Sequence, residues 1–232
     1  MKPAFVLSDD VHLCELSDAI IVLDARRNKY SLFADDQVRW FTEILRSSSD
    51  EAVSEKAQQF ALRLQRNGLV ERYESTSKPR TISNKSPRPT VCIHGQLESP
   101  SLSASIRWVP GLLSSLQYAR KLIHGTDFYA TLQSLRSSKP ATNPHFVKSN
   151  SDAVTVAQAF SSLAPYFVTL KDACLFRSIA LFRLLHFCGL AGTVNFGVRL
   201  CPFTAHCWVQ ADSVVLNDEL DDVLEFNKIL VV

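Results

Sequence analysis

Glycine, paired cysteines, a surplus of charge and long apolar runs are all scarce in this chain, and each scarcity excludes something. Seven glycines in 232 residues leave few places for a loop that cradles phosphate, and no glycine-rich motif of that kind is present. No cofactor is expected on that reading; only a requirement for ATP is left open. The six cysteines, at 14, 92, 174, 188, 201 and 207, show neither the CxxC spacing of zinc ligands nor a short secreted framework, so reduced thiols are expected. A zinc site from Cys188, Cys201, His206 and Cys207 would need two ligands on opposite faces of one strand, so no metal is expected. A net charge of +2 without a basic cluster argues against a nucleic-acid partner, because phosphate neutralisation needs Lys and Arg gathered on one face. The N-terminal stretch MKPAFVLSDD lacks a signal-like apolar core, and the most apolar segment, 173–192, is interrupted by Arg177, Arg183 and His186. A cytoplasmic protein without stable membrane insertion is expected.

Hydrophobic residues make up 46% of the chain, enough for one large domain or two modest ones. Residues 1–73 read as a small unit. "VHLCELSDAIIVLDARRNKYSLF" gives two or three strands with turn signals at Ser17 and Asp18 and at Arg26 to Asn28, with Ile20 and Val22 pointing one way. "DDQVRWFTEIL" has a helical period with Asp35 or Asp36 as cap, and a second helix runs from a capping-box-like Ser54 to Gly68 before "LVERY" returns as a strand. Strands, helices and a closing strand make a winged-helix-like pattern. Residues 74–105 are rich in Ser, Pro, Lys and Arg and read as a linker. The domain that follows, 106–232, starts with helices in "WVPGLLSSLQYARKLI" and "AVTVAQAFSSLAPYF", joined through a loose stretch. "DACLFRSIALFRLLHFCG" is apolar nearly all round and stops at Gly189, as a helix buried in a core does. An alternating strand, "TVNFGVRL", and a hairpin close the chain.

The hairpin sequence is "AHCWVQADSVVLND". If its strands are joined by a three-residue turn, Ala211 to Ser213, then His206 lies directly opposite Asp218, with Cβ atoms roughly 4.5–5.5 Å apart. The carboxylate then fixes the imidazole tautomer. Trp208 and Leu216 share that face, whereas Cys207 points the other way, which argues against it as a nucleophile. Cys174 suits that role. It lies in the first turn of the buried helix after Asp172, a natural cap, where helix amides favour a thiolate and the Cys174 amide can donate to an oxyanion. The bland readings are an inert cysteine in an apolar helix and a half-buried polar histidine beside turn-forming Asn217 and Asp218. A helix followed by a sheet, with Cys, His and Asp in that order, is the plan of papain-like and transglutaminase-like folds, and such triads perform acyl transfer. The expected fold class is α+β: a winged-helix-like N-terminal unit and a transglutaminase-like or papain-like C-terminal domain.

"CLFRSIALFRLL" followed by "VNFGVRLCPFTAHCWVQADSVVLND" resembles the transglutaminase-like cysteine peptidase of lasso-peptide biosynthesis, the B protein, over Lys171 to Leu220. The resemblance implies Cys174 as nucleophile, His206 as general base and Asp218 as its orienter. Cys207 stands where the family has Ala, and Gln210 where Glu is common. "AIIVLDARRNKYSLFADDQVRWFTEIL" is similar to the RiPP recognition element, which is fused to the peptidase in one form of that family. This implies that the leader of a precursor peptide docks as an added strand beside Lys29, Tyr30, Ser31, Leu32 and Phe33, against a helix face with Gln58, Leu62 and Gln65. Tyr30 and Leu32, on one face of the strand, are each core or pocket. Docking would raise the effective concentration of the scissile bond at the second domain. The implied function is hydrolysis of the leader-core bond, freeing a core amine for a partner cyclase resembling asparagine synthetase. A transglutaminase-like acyltransferase and a non-catalytic leader-binding scaffold are the alternatives. DNA binding by the first unit is disfavoured because its acidic and basic residues nearly balance.

Overall fold

A computed structural model describes residues 5–46, 53–72, 86–93, 108–138, 150–167 and 174–232. The chain divides into two compact units, Met1–Ser83 and Asn84–Val232.

In the first unit, β1 (Phe5–Leu7) pairs antiparallel with β5 (Val70–Arg72), and β2 (Val11–Glu15), β3 (Ala19–Asp24) and β4 (Lys29–Ala34) form a meander in that order. The expected turn at Arg26 to Asn28 is there for a reason: Asp24 accepts from the Arg27 amide at 3.1 Å and from its guanidinium at 3.0 Å. Helices α1 (Asp36–Arg46) and α2 (Glu55–Arg66) place Phe41, Ile44, Phe60 and Leu64 against Ile20 and Val22. Each such side chain contributes roughly 1.5–3 kcal/mol by leaving water. The capping box expected at Ser54 is completed from a distance. Ser54 Oγ accepts from the Ala57 amide at 3.4 Å, but the residue three positions on is Ala, and Glu43 of α1 accepts from the Ser54 amide at 2.6 Å instead. The closing strand in "LVERY" appears as β5; its partner β1 adds a strand beyond those expected.

The second unit carries a five-stranded sheet in the order β10-β7-β8-β9-β6. Its strands are β6 (Val91–Cys92), β7 (Thr193–Arg199), β8 (Thr204–Ala211), β9 (Val214–Val215) and β10 (Asn227–Val231), antiparallel except for the β6 and β9 pair. Helices α3 (Val109–Gly125), α4 (Phe128–Ser137), α5 (Asn150–Leu163) and α6 (Cys174–Phe187) accompany it, with a short α7 (Leu220–Leu224) before β10. The apolar helix of the sequence is α6: Ile179 to Phe182, Leu184 and Leu185 are buried, and α6 packs on α3, α5 and β8. It ends where expected, with Gly189 at φ 75°. Helix α4 is a further addition; Asp127 caps it by accepting from the Ala130 amide at 2.7 Å.

The structure corrects the expectation of a bare linker over 74–105. Residues 86–93 belong to the second unit. Val91 and Cys92 pair with Val214 and Val215, and the Pro87 carbonyl accepts from Gln210 Nε2 and from Lys228 Nζ, both at 2.8 Å. A segment with little apolar area of its own is thus held through backbone groups satisfied by distant side chains. The rest of that stretch lies outside the described residues.

Candidate active site

Cys174 is the first residue of α6, where backbone N–H groups lack intrahelical acceptors and the helix dipole is positive. Asp172, its expected cap, lies outside the described residues. One turn further, Ser178 is buried and fastens α6 to β8: its Oγ donates to the Cys207 carbonyl at 3.1 Å and accepts from Asn217 Nδ2 at 3.0 Å.

His206, on β8, bonds through Nε2 to Asp218 Oδ2. With Nε2 committed to the carboxylate, Nδ1 is the ring nitrogen left for sulfur, and His206 also makes a side-chain hydrogen bond to Cys174. The two residues expected to face each other do meet, but by another route. The turn has two residues, Asp212 and Ser213, so Gln210 pairs with Val215 and Ala211 with Val214, one position off the expected register. Asp212 takes φ 48°, a value that short hairpin turns require. The ladder then ends, and the chain turns at 216–218 to bring Asp218 back to the imidazole.

Cys207 departs from expectation as well. Alternation along β8 does send it to the face opposite His206, but that face meets α6. Its sulfur lies 3.8 Å from Ser178 Oγ, and its thiol hydrogen-bonds Cys174. This contact is the main reason the Cys174 thiol is drawn down to about 4; burial opposes the shift, and the hydrogen bond and charge of His206 reinforce it. His206 is raised to about 9, chiefly by the hydrogen bond to Asp218 and then by Cys174, against burial. Cys207 itself is pushed well above the ordinary thiol value by the neighbouring sulfur and by burial. Near neutral pH the site therefore holds a Cys174 thiolate beside a His206 imidazolium, with the Cys207 proton in place.

The imidazole rests on an aromatic floor. Phe226 and Trp208 lie with ring centroids 5.2 and 6.3 Å from it. Gly197 stands directly opposite His206 on β7, and a Cβ there would come within 2.7 Å of Phe226 Cβ and 2.8 Å of Trp208 Cζ3. The Trp208 indole donates to Gln210 Oε1 at 3.3 Å, and Lys228 Nζ donates to the same oxygen at 3.1 Å.

Cys174, Arg177, Ala205, His206, Cys207, Asn217 and Asp218 line a cleft of about 390 Å³. Arg177 among them stands three residues past Cys174, and a guanidinium is a donor suited to a carbonyl or carboxylate of a bound chain. In the sequence Arg177 reads only as an interruption of an apolar helix, and Asn217 only as a turn former; the helical spacing from Cys174 is the signal that marks Arg177. Among the described residues no cluster of His, Cys, Asp or Glu is placed to hold a metal ion.

The residues singled out in the first unit can be placed there too. Lys29, Tyr30, Ser31, Leu32 and Phe33 lie on β4, which pairs with β3 and is the last strand of its sheet among the described residues. Leu32 is 53% exposed and Tyr30 half-buried, so neither is core; Phe33 packs on Phe41 and Phe60. Gln58, Leu62 and Gln65 are exposed on one face of α2.

Among the described residues no helix is long and apolar enough to cross a membrane. No curated protein and no solved structure matches the chain. Residues 119–231, which contain Cys174, His206 and Asp218, match the family model described as Transglutaminase-like superfamily, and the second unit accordingly carries a transglutaminase-like superfamily domain.

Proposed function

We propose that the second unit is a cysteine peptidase that removes the leader from a lasso-peptide precursor, and that the first unit binds that leader. The observation that carries the catalytic part is the meeting of Cys174, His206 and Asp218 in one open cleft, with His206 bonded to Asp218 and the Cys174 thiol drawn down. The superfamily includes cysteine peptidases and acyltransferases. In the proposed reaction the Cys174 sulfur attacks the scissile carbonyl, and the oxyanion takes a hydrogen bond from the Cys174 amide, a donor of a kind worth roughly 3–4 kcal/mol. His206 gives its proton to the departing core amine. The neutral ring then deprotonates water, which hydrolyses the thioester and returns the proton to His206. Asp218 keeps the ring turned so that Nδ1 faces sulfur.

Among the described residues β4 stands at the end of its sheet, and this position and the exposed Leu32 and Leu62 support leader docking by strand addition, in which main-chain bonds give affinity and side chains select. The freed core amine would pass to an asparagine-synthetase-like cyclase as partner. The test is incubation of the full chain with a lasso precursor peptide, followed by mass measurement. Hydrolysis at the leader-core bond, lost in Cys174→Ala while leader affinity remains, supports the reading. Joining of the acyl fragment to an added amine would replace it with acyl transfer, and unchanged cleavage by Cys174→Ala would remove Cys174 from the chemistry.

A further inference from the structure

Cys207 forms no bond to substrate in the proposed hydrolysis, yet its side chain is the chief influence on the Cys174 thiol. Three observations converge there. Cys174 and Cys207 line the same cleft and hydrogen-bond each other through their side chains. Ser178, one turn from Cys174, holds the Cys207 carbonyl at 3.1 Å and lies 3.8 Å from its sulfur, so the start of the helix is fastened to the strand at Cys207. Cys174 is half-buried beside the cleft whereas Cys207 is buried, so an oxidant from solvent reaches one sulfur first.

We propose that Cys174 and Cys207 form a two-thiol site for hydroperoxides, in which Cys174 is oxidised first and Cys207 then closes a disulfide with it. The inference rests on the reading of Cys174 as the site's reactive thiolate, but on no particular peptide substrate. In the first step the Cys174 thiolate attacks one peroxide oxygen, the O–O bond breaks, and the departing hydroxide takes the His206 proton as water. Cys174 becomes a sulfenic acid. In the second step the Cys207 sulfur attacks the Cys174 sulfur, the S–O bond breaks, and the leaving hydroxide carries off the Cys207 proton as a second water. The two sulfurs lose two electrons and hydrogen peroxide is reduced to two waters. A disulfide needs the sulfurs at about 2.05 Å, and rotation of the two cysteine side chains is the movement that brings them there. Closing this bond stops Cys174 short of the sulfinic acid, which ordinary thiols do not reverse; a dithiol restores both cysteines by exchange.

The experiment treats the full chain with hydrogen peroxide, blocks remaining thiols with iodoacetamide and maps the peptides by mass spectrometry before and after dithiothreitol. The expected result is a linked Cys174–Cys207 peptide pair that dithiothreitol separates, with Cys174 alkylatable again. Cys207→Ala should instead accumulate sulfinic Cys174, roughly tenfold more than the parent chain at equal peroxide. Cys174→Ser should form no link to Cys207, which keeps the proposal testable if the Cys207 variant does not fold. Oxygen addition to Cys174 in the parent chain without a linked pair overturns the proposal, as does a link from Cys174 to the exposed Cys201. If Cys174 is alkylated no faster than the other five cysteines, the reading of Cys174 as nucleophile fails; if it is alkylated fast and no link forms, only the two-thiol site fails.

Discussion

Asn217 Oδ1 accepts a hydrogen bond from the Val209 amide at 2.7 Å, in the place where the Leu216 carbonyl would stand in a continued ladder. Leu216 donates to the Val209 carbonyl at 2.9 Å, so only half of that backbone pair is made by backbone. The side chain lets the strand end at Val215 without orphaning the Val209 amide, and the chain is released to carry Asp218 to His206. Replacing Asn217 with Ala should cost about 1–3 kcal/mol through the buried unpaired amide. It should also slow alkylation of Cys174 at pH 6 as Asp218 loses its station. Thermal melting and iodoacetamide kinetics measure the two effects; Asn217→Asp, which keeps Oδ1, should retain more of the second than Ala does.

The depressed Cys174 and raised His206 give a defined pH window. The proposed hydrolysis needs thiolate and imidazolium together, so its rate should rise through about pH 4 and fall through about pH 9. Asp218→Asn removes the largest cause of the raised histidine and should move the basic limb down toward the ordinary imidazole value near 6.5. A basic limb unmoved in that variant would mean that His206 is not the group responsible for it.

His186 predicts acid lability of α6. Burial, aided by the charge of Arg183, lowers its imidazole to about 4, and its Nδ1 lies 3.0 Å from Ser138 Oγ. The unfolded chain takes up the proton near pH 6.5 and the folded chain only near pH 4, so the unfolded state binds more protons in between. Stability linked to this residue is present above pH 6.5 and is lost as pH falls to about 4, by up to about 3 kcal/mol. Urea unfolding of the parent and of His186→Gln at several pH values should show a shallower acid decline for the variant.

Gln210 should govern the attachment of residues 86–93. Its Nε2 holds the Pro87 carbonyl at 2.8 Å, and the Thr90 amide donates to Ser213 O at 2.9 Å beside it. Gln210→Ala leaves the Trp208 and Lys228 donors without that oxygen and is expected to cost about 2 kcal/mol. Exchange of the Thr90 amide with deuterium should accelerate in the variant ahead of global unfolding.

Much of the site is readable from sequence because it depends on local periodicity. The apolar circumference of α6 marks a buried helix, and its start places Cys174; alternation in "AHCWVQ" puts His206 and Cys207 on opposite faces. Hairpin register is not readable, since Ala211 to Ser213 suits a turn of two or three residues equally well, and the exchange at Asn217 hides the difference by returning Asp218 to the same partner. What each face of β8 meets is a long-range matter. Nothing near Cys207 announces that α6 packs on it, and nothing in "SPRPTVC" announces that Gln210 and Lys228 hold its carbonyls from more than a hundred residues away. The same holds for β1, too short to show a pattern before β5 claims it.

Gly197 has a consequence for how this sequence can drift. Any methyl at that position would collide with Phe226 and Trp208, and those two rings are the support on which the imidazole is levelled. Surface loops can accept random codons, but a library randomised at 197 and selected for a working enzyme should return glycine alone. Variants at 208 or 226 that open room beneath the ring should relax that restriction and, in the same stroke, let His206 wander from sulfur.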